Sequence, residues 1–199
     1  EPSQAAVLDV AFKPGSPLIA SASYPKNLTL YDAKADREVW QIECLGAPTR
    51  VAFSRDGTKI AVGFFYGKAA VYEAQSGQLI CVVDEPSANC NAIAFAADSR
   101  SVVVAINSKR KEPGPAKLVL CDARTGKPVR TLCEHAAQIQ RARVSPDGTR
   151  VASVDRTGRC CISDIKTGNT LQRWKLESDP AANLQFLDNQ TVVVGCQSN

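Results

Sequence analysis

The stretch Ile139–Asp155, IQRARVSPDGTRVASVD, reads as two short apolar alternations joined by Ser145-Pro146-Asp147-Gly148, the composition of a tight β-hairpin. Each turn residue has its own reason: Pro pre-sets φ, Asp hydrogen-bonds nearby backbone, and Gly accepts positive φ. The same template recurs at 7–23 (VLDVAFKPGSPLIASAS), 48–64 (PTRVAFSRDGTKIAVGF), 90–106 (CNAIAFAADSRSVVVAI) and 181–197 (AANLQFLDNQTVVVGCQ). The aligned position is Phe12, Phe53, Phe95, Val144 and Phe186, at intervals of 41, 42, 49 and 42 residues. Self-similarity at a fixed period marks a repeat array, and the long interval places an insertion in the third unit.

Outward from the hairpin, each unit reads as four short strands, a to d. Strand c closes on Tyr31-Asp32, Tyr72-Glu73, Cys121-Asp122 or Ser163-Asp164, and a turn such as Ser76-Gly77, Thr125-Gly126 or Thr167-Gly168 leads into strand d. Strands and turns with no helical periodicity between them predict an all-β chain. The units fall at about 6–42, 43–83, 84–132, 133–176 and 177–199, the last holding only strands a and b. Together they form a single partial domain. The lack of any methionine, and the stop before a further strand c, read as a segment of a longer protein.

Composition narrows the function classes. The chain is 44% hydrophobic and 22% charged, ordinary for a globular domain, and its apolar runs are too short for a membrane span. A net charge of +4 spread through turns argues against nucleic acid as partner. The eight cysteines include no Cys-x-x-Cys pair and there is one histidine, so no metal site or cofactor is expected. Buried free thiols point to the cytoplasm or another reducing intracellular compartment. No nucleophile elbow, phosphate-binding loop or zinc-protease motif occurs, so no catalytic residue is assigned and the chain is read as non-enzymatic.

The SPDGTRVAS segment, the apolar-acidic close of strand c and the Thr-Gly turn resemble the WD-repeat family, in phase across nearly the whole chain. That resemblance implies a β-propeller: four four-stranded blades and half of a fifth, part of a seven-bladed ring around a central channel. The departures are informative. In the family a Gly-His pair, an Asp in the b–c turn and the strand-c Trp form a hydrogen-bonded network. Here only His135 stands at the histidine position, Pro25, Tyr66 or Thr157 occupies the Asp position, and no unit keeps the Trp. The network is expected to be absent or partial.

The resemblance also implies that the d–a and b–c connections share a rim that receives proteins or peptides, and binding residues belong in such loops. The candidates are Phe65 and Tyr66 in the aromatic turn of the second unit, Tyr24 and Arg156 in the equivalent turns of the first and fourth, and Lys109, Arg110 and Lys111 in the insertion. Aromatic and basic residues are the usual binding anchors, and three adjacent cations suit an acidic or phosphorylated ligand. The expected function is a protein–protein interaction scaffold. The alternative is a regulatory or substrate-recruiting propeller of an enzyme whose catalytic domain lies elsewhere in the parent.

Overall fold

In a computed structural model, residues 6–83, 89–107, 115–177 and 181–196 are described. The described chain is all-β. Four antiparallel sheets follow one another: β1 (Val7–Phe12), β2 (Leu18–Ser23), β3 (Asn27–Asp32) and β4 (Arg37–Glu43); β5 (Pro48–Phe53), β6 (Lys59–Phe64), β7 (Ala69–Glu73) and β8 (Leu79–Val83); β9 (Ile93–Phe95), β10 (Ser101–Ile106), β11 (Ala116–Asp122) and β12 (Pro128–His135); β13 (Ile139–Val144), β14 (Arg150–Asp155), β15 (Arg159–Asp164) and β16 (Thr170–Lys175). A two-stranded sheet, β17 (Ala181–Phe186) with β18 (Val192–Cys196), completes the array. Each sheet is a meander in sequence order, as a propeller blade requires, and the blades do not close into a ring.

The cores lie between blades. Along β6, Ile60, Val62 and Phe64 pack toward the first blade with Ala22, Leu28 and Leu30, whereas Ala61 joins Val102, Val104 and Cys121 of the third. This is the period-two alternation of a strand buried on both faces. Each fully buried aliphatic side chain contributes on the order of 1.5–3 kcal/mol. Blade one is covered on one face only: Val10 and Phe12 are 50% and 70% exposed, while Phe95 and Phe186 at the aligned position are 7% and 5%.

Neighbouring blades meet through their a strands, β1 with β5, β5 with β9, β9 with β13 and β13 with β17, so these are the converging inner edges. Two repeated stitches hold the blades farther out. A d-strand side chain donates to a carbonyl beside the next blade's c–d turn: Trp40 Nε1 to Ala74 O at 3.2 Å, Cys81 Sγ to Ala123 O at 3.3 Å, and Arg130 to Lys166 O. The a–b turns bond in the same stepwise way, Asp56 N to Ser99 Oγ at 3.1 Å and Asp147 N to Asn189 Oδ1 at 2.9 Å. Within the turn, burial works against the Asp56 carboxylate, but hydrogen bonds from Ser54 and Thr58 hold its pKa down at about 2. The seven cysteines from Cys44 to Cys161 are buried thiols outside any disulfide. Burial pushes the Cys90 thiol up to about 12, which leaves it protonated and unreactive at neutral pH.

Candidate functional site

The strand register places two kinds of connection on one rim. Val7 pairs with Ser23 and Asn27 pairs with Glu43, so the start of strand a, the b–c turn and the end of strand d lie at the same end of the blade. The b–c turns are tied to that end by one recurrent backbone bond: Tyr24 N to Ala6 O at 2.8 Å, Phe65 N to Ala47 O at 2.9 Å and Arg156 N to Gln138 O at 2.9 Å. Anchored backbone leaves the side chains free to project. Tyr24 is 55% exposed beside a cis Tyr24–Pro25 bond, and Arg156 is exposed.

The aromatic turn divides its residues. Phe64 is buried in the core shared with blade one, Phe65 is 40% exposed and Tyr66 is 86% exposed. Tyr66 also has φ 69, the left-handed region that bulky residues seldom occupy. Tyr24, Phe65, Tyr66 and Arg156 sit on three blades of the one rim, and no hydrogen bond or ion pair joins them to one another among the described residues. Lys109, Arg110 and Lys111 lie outside the described residues.

At the fourth blade the sequence expectation needs correcting. His135 ends strand β12 rather than lying in a connection, and it is tied from both ring nitrogens: Nε2 to Ser153 Oγ at 2.8 Å and Nδ1 to Asp155 Oδ2 at 3.3 Å. The acid is Asp155, two residues before the position where Thr157 stands. Its Oδ1 accepts from Thr157 N, Thr157 Oγ1 and Arg159 N at 2.8, 2.7 and 3.1 Å, so one carboxylate caps the b–c turn and holds the histidine. The buried network is therefore partial in this blade, as expected, formed by His135, Ser153, Asp155 and Thr157 without a tryptophan. It staples β12 of blade three to β14 of blade four. Burial, opposed by Asp155, lowers the His135 pKa, so the ring is neutral at pH 7. The order Asp–His–Ser resembles a hydrolytic triad, but Ser153 is 1% exposed and no substrate reaches its hydroxyl.

Above this staple, a cleft of about 450 Å³ is lined by His135, Arg159, Arg173, Trp174, Lys175 and Glu134, among others. Arg173 Nη1 is held on Glu134 O at 3.0 Å, and Lys117 stands 3.6 Å from the Glu134 carboxylate. The volume is within the range of small-ligand sites. Its residues were missed in the sequence because they come from three strands of two blades and no single stretch of the chain brings them together. Among the described residues no cluster of His, Cys, Asp and Glu could hold a metal, and no helix is long and apolar enough to cross a membrane.

Two comparisons with known proteins bear on this geometry. The family model "WD domain, G-beta repeat" matches residues 126–164. That span runs from the c–d turn of blade three to the end of strand c in blade four and contains His135, Ser153, Asp155 and Asp164. The chain is also similar to the Periodic tryptophan protein 2 homolog of Dictyostelium discoideum, 32% identical over 82 residues, 41% of this chain and 9% of that protein. The matched region is a small part of the relative's length.

Proposed function

We propose that this chain, which belongs to the WD-repeat family and forms blades of a β-propeller, is a non-catalytic scaffold that binds a protein partner through the rim of d–a connections and b–c turns. WD repeats in general mediate protein–protein interaction. The observation that carries the reading is Tyr66. A large aromatic side chain stands 86% exposed on a backbone at φ 69, beside exposed Phe65. Folding alone gains little from holding a tyrosine there, since an exposed ring buries no core and its backbone is strained by about 1–2 kcal/mol. Tyr is a preferred binding anchor, because it offers wide contact area at small entropic cost. Tyr24 and Arg156 extend the surface along the rim, and the Lys109–Lys111 run supplies an accessory contact for acidic or phosphorylated groups. The buried thiols fit a reducing intracellular compartment.

The test separates binding from folding. Tyr66→Gly relieves the positive φ, so it is expected to leave stability unchanged or raise it by up to about 1 kcal/mol. In the full-length protein, Tyr66→Gly together with Phe65→Ala should lower partner recovery at least tenfold. Recovery unchanged by the pair, with stability intact, rejects this surface.

A further inference from the structure

The inner edge of the blades carries charge that neither the fold nor the rim explains. Asp9, Arg50 and Arg141 occupy the same place in strand a, three residues before the aligned Phe or Val, and Arg143 stands two residues beyond Arg141. Each of the first three follows a register shift in its a–b ladder, between Val7 and Asp9, Pro48 and Arg50, and Ile139 and Arg141. Such bulges re-aim side chains at strand edges and beside binding sites. The inner edges of β5 and β13 have no strand beside them, and the guanidiniums lie along these edges. Arg141 Nη1 donates to Gln140 O at 2.8 Å, Arg143 Nη1 to Ala142 O at 3.0 Å, and Arg50 Nη1 to Thr49 O. All three arginines are half-buried.

The charges come from blades one, two and four yet act on one another. Burial, and then the charges of Arg50 and Arg143, hold Arg141 below its ordinary value, with Asp9 opposing. Burial lowers Arg143 as well, with Asp9 opposing and Arg50 adding to it. The a strands β1, β5, β9 and β13 pack in succession along the converging side of the array, and Asp9, Arg50 and Arg141 share one register position on them, so these charges face a common space there. Asp9 is partly occupied already, since its Oδ2 accepts from Val51 N at 3.0 Å. The ion pairs among the described residues are Lys26–Glu43, Lys117–Glu134 and His135–Asp155, none of which involves these arginines. Among the described residues, three guanidiniums against one carboxylate leave two positive charges uncompensated. Crowding them at half-burial disfavours the fold, and such clusters mark functional sites.

We propose that Arg50, Arg141 and Arg143 form an inner-face binding site for a phosphate monoester, either a phosphorylated side chain of a protein or a small free phosphate ester. The charge balance favours this class. A phosphate monoester carries about −1.5 to −2 at pH 7, matching the excess, and its oxygens suit the guanidinium fork. A single carboxylate would leave half the excess unmatched. The site is separate from the rim, so it stands or falls independently of the surface around Tyr66.

The experiment is fluorescence anisotropy on the whole chain at fixed ionic strength. The probes are a labelled Gly/Ser peptide bearing one phosphoserine, the same peptide without phosphate, and inorganic phosphate as competitor. The phosphopeptide should bind at least tenfold tighter than its counterpart. The double change Arg141→Gln and Arg143→Gln should erase that preference without lowering the thermal midpoint, because it removes like-charge repulsion. Asp9→Asn should tighten phosphopeptide binding several-fold. Displacement by millimolar phosphate identifies the phosphoryl group itself as the ligand. If phosphate binds with the same arginine dependence while the peptide does not, the source is a small phosphate ester. A preference that survives the double change overturns the proposal, as does the absence of binding by any phosphate probe. A single-stranded oligonucleotide held more tightly than the phosphopeptide also overturns it.

Discussion

His135 shows how a single side chain records both the fold and its pH range. It is the chain's one histidine, and it contributes to the pH dependence of stability between pH 5.5 and 7.5 beside the Cys161 thiol, which a hydrogen bond from Cys133 holds down at about 6. Its folded pKa lies below the ordinary value of 6.5, held down first by burial, then by Arg173 and Arg159, against the pull of Asp155. The unfolded chain therefore takes up the proton first. The contribution of His135 is full above pH 6.5 and falls as pH drops below it, by up to about 1.4 kcal/mol per pH unit. Urea midpoints at pH 7.5 and 5.5 should differ in this sense for the wild type, while His135→Asn is less stable at pH 7.5 and changes less across the range, the remainder coming from Cys161. The sequence showed the histidine at its family position but not its acid partner. Asp155 ends a strand and caps the following turn, and a shift of two residues along that turn still reaches the ring. Arg50, Arg141 and Arg143 were legible only as the polar half of an alternation, because edge strands routinely carry charge. What they share became visible once the second and fourth blades were placed around one space.

At the scale of elements, the repeat period and turn chemistry were enough to anticipate four-stranded blades, since the strands alternate and the a–b and c–d turns carry a Gly or Asp. What the pattern did not carry was how one blade's turn meets the next. Gly126 and Gly15 both have positive φ, 73 and 64, and look alike as turn glycines. A Cβ on Gly126 would stand 2.1 Å from Val82 O of the preceding blade, whereas one on Gly15 meets nothing within 4 Å. Gly15→Ala is expected to lose about 1–2 kcal/mol from backbone strain alone. Gly126→Ala should lose roughly 3 kcal/mol or more, because the clash pushes two blades apart. Urea unfolding of the two variants measures the difference. Equal losses would show that the turn yields without disturbing its neighbour.

For the whole molecule, the radial order of blades explains why the proposed binding surface is assembled from residues far apart in the chain. Tyr24, Phe65, Tyr66 and Arg156 are brought to one rim by the common direction of strands b and c in every blade. The rim was legible in the sequence because the family resemblance supplied its orientation. The interblade cleft at His135 and the inner arginine face were not, because both exist only between blades. Outer strand β16 offers a control, with Leu171 51% exposed on the far edge of blade four. The most direct measurement is site-directed photo-crosslinking in the full-length protein, with the reactive side chain placed at position 66, 156 or 171. Crosslinks to a protein partner at 66 and 156, and none at 171, are the predicted result; crosslinks at 171 with none at 66 or 156 would contradict a rim-binding scaffold.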